Sequence, residues 1–453
     1  MNPSDYQDLV KADQAHLIHP LHHPQDHTEP LIFVEGKGAV MKDVLGHEYL
    51  DALGGLWNVS VGHGREELAQ AAAEQMGSLA YCSSYAGSSN VPAIRLATRL
   101  TGLAYPNLTA TFFTCGGAES NESAFKTARF YWKVKGKPEK VKIISRQNAY
   151  HGVTQQVMSA TGIPMYWKMF EPRAPGFMLI QAPYPYRFEG ARPGESVGQA
   201  AARELDETIL REGPETVAAF IAEPIMGAGG VIVPPDDYFP RVREICARHQ
   251  VLFIADEVIT GFCRTGHWFG LMHWGVEPDI MSFAKGITSG YLPLGGIMVS
   301  AEIKEVMDSV SPENRWMHAY TYSAHPTACA VALKNLEIME RERLWERAAA
   351  MGDRLYRGLR GLSDLQAVGD VRGGKGLMAA VELVADRKTK APFPPGDRVG
   401  PRVRQEMINR GLFPRHLRDI FLFAPPLVVT EVQVDRIVEI TRQAIEAVVP
   451  GTA

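Results

Sequence analysis

Between about residues 90 and 300, short and nearly unbroken apolar runs alternate with helical patterns, and this alternation is the strongest constraint on the fold. Helices are expected at 91–103, 119–133, 198–212 and 237–249. Strands are expected at 110–114, 141–145, 217–223, 251–256, 279–283 and 295–299. Runs such as Val217-Ala-Ala-Phe-Ile-Ala222 and Val251-Leu-Phe-Ile-Ala255 do not alternate polar with apolar, so both faces of each strand must be buried. Such strands belong in a mostly parallel sheet with helices on either side. Ligands of such sheets bind at the carboxyl ends of the strands. At 453 residues and 45% hydrophobic content the chain can bury a large core. The length predicts two or three domains, or one large domain with a smaller one.

The ends of the chain read differently. Residues 1–30, rich in His, Pro and Asp, are expected to form an extended arm. His16, His19, His22, His23 and His27 cluster there, but their spacing fits no compact ligand set, and no metal site is expected. Strands at 31–34, 39–43 and 49–51 and a helix at 65–79 follow. Residues 327–361 carry one long helical pattern. Beyond Gly361, strands at 366–371, 377–384 and near 420–423 mix with helices at 400–410 and 430–448, and a Pro-rich loop spans 391–401. That mixture reads as a smaller α+β domain. A net charge of −4 without single-sign runs implies neither nucleic acid nor anionic membrane as a partner. Five scattered cysteines without CxxC spacing point to a reducing, cytoplasmic setting, and neither a leader nor a membrane span is expected.

Two residues at strand ends carry the chemistry. Asp256 closes the run 251–256, and Lys285 follows the run 279–283. Lysine in an apolar setting can lose its proton and become a nucleophile. An aspartate can hold a pyridinium nitrogen protonated. These are the two polar contacts that pyridoxal 5′-phosphate (PLP) chemistry needs. Strand 110–114 ends in Thr114-Cys-Gly-Gly-Ala-Glu-Ser120, a Gly-rich turn feeding a helix, which suits an anion or is a plain connecting turn. Tyr150 closes the next strand and can stack on a planar ring. Glu223 is expected beside Asp256, a costly pairing unless a cation or hydrogen-bond relay intervenes.

Taken in order, Gly54-Gly-Leu-Trp57, Gly116-Gly-Ala-Glu-Ser-Asn121, Tyr150-His-Gly152, Glu223-Pro224, Asp256-Glu-Val258, Gly261-Phe-Cys-Arg-Thr-Gly266, Ala284-Lys-Gly286, Thr321-Tyr-Ser323 and Ala424-Pro-Pro426 resemble the class III aminotransferases, the ω-aminotransferase branch of fold-type-I PLP enzymes. The pieces span nearly the whole chain, and the taurine- and β-alanine:pyruvate group is the nearest in kind. The resemblance implies a large PLP-binding domain at 61–330 with a mostly parallel seven-stranded sheet. It implies a smaller α+β domain built from both termini, 1–60 and 331–453.

The resemblance also assigns roles. Lys285 bonds the cofactor and shuttles the substrate proton, and Asp256 serves the ring nitrogen with Glu223 nearby. Val258 and Tyr150 flank the ring. Gly117 and Ala118 bind the phosphate, and Thr321 reaches the phosphate of the other subunit, implying a homodimer, with a tetramer left open. Many relatives carry Ser where this chain has Ala118, which removes one hydroxyl, and Ser120 or Asn121 is a candidate to compensate. Pocket walls are Leu21, Trp57, Tyr85, Tyr150 and Ala228, with Leu21 and Tyr85 supplied across the subunit interface. Arg415 is a mobile cation for carboxylates. The implied reaction is a ping-pong transfer of an amino group from an amine or ω-amino acid to pyruvate, giving L-alanine. The alternatives are a racemase or aminomutase on the same fold, or a non-catalytic scaffold.

Overall fold

The computed structural model describes residues 3–26, 28–85 and 87–449; His27 lies outside them. At its centre is a seven-stranded sheet. Its order is Leu108–Thr114, Gly295–Ser300, Ile280–Phe283, Leu252–Asp256, Val217–Ala222, Lys142–Arg146 and Phe177–Ile180. Five adjacent strands pair in parallel, and Gly295–Ser300 runs against both of its neighbours. The mostly parallel sheet is therefore present. Every residue of Val217–Ala222 and Leu252–Asp256 is buried, as unbroken apolar runs require. The edge strand Phe177–Ile180 was not expected, since four residues after a long irregular loop give a weak pattern.

Helices follow their caps. Val197–Glu212 starts in a capping box between Ser196 and Gln199, and Val91–Thr101 starts at Asn90, which accepts from Ala93 N. Two expectations are corrected. Residues Pro3–His16 are helical and not extended. Proline is tolerated at the first turn, none recurs before Pro20, and Val10 is buried. The pattern at 327–361 is two helices, Pro326–Arg341 and Leu344–Arg360, broken at Arg343 with φ of 48°. The first packs on helices Glu66–Leu79 and Val91–Thr101.

Two smaller sheets flank the large one. In one, Phe33–Lys37, Val40–Asp43 and Glu48–Asp51 are joined by Leu412–Phe413, which pairs in parallel with Leu50 and Asp51. The other has the order Val368–Arg372, Ala379–Leu383, Ile420–Phe423, Arg415–Leu417. The short strand carrying Arg415 was not expected. Among the described residues, no helix is long and apolar enough to cross a membrane.

Candidate active site

The floor of the site is Asp256, at the carboxyl end of its strand and 1% exposed. Its Oδ2 accepts from Asn121 Nδ2 (2.8 Å) and His151 Nδ1 (2.7 Å), and its Oδ1 from Val258 N (3.1 Å). The partners are held in turn. Ser282 Oγ donates to Asn121 Oδ1 (2.6 Å), Asn121 Nδ2 also donates to the His151 carbonyl (2.8 Å), and Ser145 Oγ lies 3.1 Å from His151 Nε2. A buried carboxylate with three donors keeps one orientation. Glu223 lies beside it across paired strands, and burial pushes its carboxyl pKa up. Its oxygens accept from Tyr150 N (3.1 Å) and Gly227 N (2.9 Å). These backbone donors offset part of the cost of burying Glu223 beside Asp256.

Lys285 stands two residues beyond the next strand. Burial lowers its pKa to about 8, against the opposing pull of Asp256 and Glu223, with Arg415 adding to the lowering. Its backbone is left-handed, with φ of 49°. That conformation costs a non-glycine residue about 1 kcal/mol or more and persists only where neighbours enforce it. The segment that follows it is held by Asn335, whose Nδ2 donates to the carbonyls of Gly286 and Ile287, 2.9 Å each, while its Oδ1 accepts from Ser289 (2.7 Å).

Helix Gly117–Val134 begins at Gly116 with no side-chain cap, and a Cβ built on Gly116 meets nothing within 4 Å. With no side chain capping its first turn and the positive end of the helix dipole there, the turn can take an anion. Gly117 must be glycine, since a Cβ there would lie 2.9 Å from Val258 Cγ1. This close approach sets the anion turn against Val258 and hence against Asp256. Neither proposed substitute for a hydroxyl at Ala118 faces this space. Ser120 Oγ bonds the Gly116 and Phe283 carbonyls at 2.9 and 3.1 Å, and Asn121 is committed to Asp256.

The walls divide in two. Tyr150 meets Tyr166 edge-on at 5.0 Å, and Arg415 Nη2 donates to the Tyr166 hydroxyl at 3.4 Å. Burial raises the Tyr150 pKa, while Arg415 opposes that rise. Arg415 therefore sits on a strand aimed at the site and is no loose surface residue. Ala228 is 9% exposed on the turn that follows Glu223. Trp57 packs in the core at 2% exposure, its left-handed backbone (φ 67°) steadied by Asp51, which accepts from Leu53 N and Gly55 N. Leu21 and Tyr85, by contrast, are 63% and 72% exposed, and Thr321 is exposed as well. No wall of the single chain covers these three side chains.

Sequence reading missed Asn335 and Tyr166, and did not link Asn121 and His151 to Asp256. The last two lay inside quoted motifs, and only their hydrogen bonds reveal what they hold.

The family model for aminotransferase class III matches residues 22–445. A putrescine–pyruvate aminotransferase from Pseudomonas aeruginosa is 41% identical over 416 residues, covering 92% of this chain and 90% of its own. A thermostable (S)-enantioselective omega-transaminase from Thermomicrobium roseum is 49% identical in its crystal structure, with a TM-score of 0.95 and 99% of each chain covered. The omega-transaminase of Pseudomonas jessenii, solved in complex with PMP, is 40% identical, with a TM-score of 0.94 over 98% of this chain and 99% of that one. With this fold and this breadth of similarity, the chain belongs to the class III aminotransferases, fold-type-I transferases of the PLP-dependent group.

Proposed function

We propose that this protein moves an amino group from an amine or ω-amino acid to pyruvate at a single PLP site, giving L-alanine and an aldehyde or ketone. The observation that carries the reading is the placement of buried Asp256 and of Lys285 at the carboxyl ends of adjacent parallel strands, with Arg415 of a smaller sheet reaching Tyr166, the ring that meets Tyr150. The uncapped turn at Gly117 and Ala118 suits the phosphate, Asp256 the ring nitrogen, and Lys285 the aldehyde carbon, with Val258 and Tyr150 at the ring faces. Bound there, PLP supplies an electron sink for the carbon that loses its proton.

The chain's own residues do the rest. Lys285 Nζ, uncharged in a large fraction near pH 8, takes the substrate proton and returns it. Asp256, oriented by Asn121 and His151, holds a proton at the ring nitrogen. Arg415 binds the carboxylate of pyruvate with a two-pronged fork and lets apolar donors pass when it turns toward Tyr166. The pyruvate specificity named for the P. aeruginosa relative supports the acceptor, and its putrescine specificity supports primary amines as donors.

The reading extends to a homodimer in the cytoplasm. Its support is the exposure of Leu21, Tyr85, Met317 and Tyr322, together with free cysteines throughout. The test is the visible absorbance of the purified protein. A band that bleaches with β-alanine or putrescine and returns with pyruvate is expected. A protein that stays colourless after PLP is added overturns the reading, and a band that responds to amines while no alanine forms from pyruvate replaces transfer with racemase or aminomutase chemistry.

A further inference from the structure

The second small sheet places two arginines in one row. Arg415 pairs with Leu422, Leu422 with Ala380, and Ala380 with Arg372. Residues directly opposite in adjacent strands share a face. Arg415 and Arg372 therefore project from the same face, three strand spacings or about 14 Å apart. Arg415 reaches Tyr166. Arg372 Nε donates to the Gly230 carbonyl at 2.8 Å, and its Nη1 donates to Asp370 (2.8 Å) and Glu382 (2.7 Å). Its guanidinium also lies 4.8 Å from the Tyr184 ring centre, and Glu382 is held again by Arg187 Nε at 2.6 Å.

Gly230 belongs to a tight turn, in which Gly230 N and Val231 N both donate to the Gly227 carbonyl at 3.1 Å. At its near end Gly227 N is fixed by Glu223, the same carboxylate that holds Tyr150 N. At its far end Gly230 is fixed by Arg372. Ala228 lies between the two anchors. One anchor comes from the large sheet and the other from the sheet that carries Arg415.

We propose that Arg372 is a positioning residue for donor selection: it fixes the Gly227–Val231 turn, and with it Ala228, to the sheet face that presents Arg415. The distance between the pocket wall at Ala228 and the carboxylate-binding arginine is then set by one row of a rigid sheet. This rests on the transaminase reading above. It assigns the donor side of the pocket to the turn and leaves the acceptor carboxylate to Arg415.

The test compares the holoenzyme with Arg372→Lys, which keeps a cation for Glu382 but loses the fork that also reaches Gly230. Backbone amide exchange of 226–232 is expected to quicken. KM for amine donors is expected to rise about fivefold, the scale of one ordinary net hydrogen bond, while KM for pyruvate and kcat move less. Glu382→Gln, which spares the bond to Gly230, is expected to leave that exchange as it is. Unchanged exchange and donor KM in Arg372→Lys overturn the proposal, as does a uniform loss for all substrates that tracks a lowered Tm. Should Arg372→Lys not fold, Arg372→Gln takes its place; it is uncharged and too short to keep the bond to the Gly230 carbonyl, and it must produce the same donor shift. A wild-type protein that transaminates nothing sinks the transaminase reading, whereas the exchange comparison still judges the grip on the turn.

Discussion

The floor and the rim of the site are built in opposite ways. Around Asp256, the carboxylate is held by Asn121 and His151, which Ser282 and Ser145 hold in turn, all within one chain. Around Leu21, Tyr85 and Thr321 the side chains stand exposed. A closed network holds its geometry before any ligand arrives, because each member's alternatives are removed by its partners. An exposed rim acquires geometry only when another surface covers it. On the proposed reading, the chemistry is written into the single chain, and a second subunit completes access and selectivity.

The largest effect expected is on the floor. Lys285→Ala removes nucleophile and proton carrier together, and steady-state turnover should drop at least about ten-thousandfold at every protein concentration. Retained turnover would remove Lys285 from the reaction. Asp256→Asn keeps the shape but weakens the hold on the ring proton, and kcat should fall on the order of 100- to 1,000-fold with Tm little changed. Near-normal kcat would show that the network is structural only.

Between floor and rim stands Arg415. Arg415→Ala should raise KM for pyruvate roughly 30-fold, the cost of leaving a buried charge partner unpaired, and spare apolar amines. Equal losses for both would make Arg415 a packing residue. At the rim, Thr321→Val should weaken PLP retention about tenfold, read by cofactor titration, and dilution of the wild-type protein should mimic it. A variant unaffected in that titration breaks the contrast between the two halves. The smallest effect is a shift along the pH axis. Only uncharged Lys285 attacks, and its pKa is lowered, so the rate of PLP loading into apoprotein should rise with pH and reach half its maximum near about 8. A midpoint close to that of a solvated lysine would show that burial does not tune the amine.

What could be read in advance follows from how local each signal is. Val217–Ala222 and Leu252–Asp256 were legible because burial on both faces leaves an unbroken apolar run, and Asp256 and Lys285 because they interrupt such runs at their ends. Asn121 and His151 were not connected to Asp256, since those bonds cross 135 and 105 residues of sequence. The alignment of Arg372 with Arg415 in one row depends on the register of four short strands, two of which bracket a turn too brief to show a period. Helix Pro3–His16 was obscured by prolines of the arm that lie at its first turn or beyond its end and do not interrupt it.

The parallel pairing of Leu412–Phe413 with Leu50 and Asp51 has a bearing on biogenesis. On the ribosome, the strand Glu48–Asp51 emerges long before its neighbour exists, roughly 360 residues ahead, and at usual elongation rates it waits about 20–70 s. Its exposed edge is open to wrong partners during that interval. Yield in the cell should therefore respond to translation speed and chaperone supply more than the stability of the finished molecule would suggest.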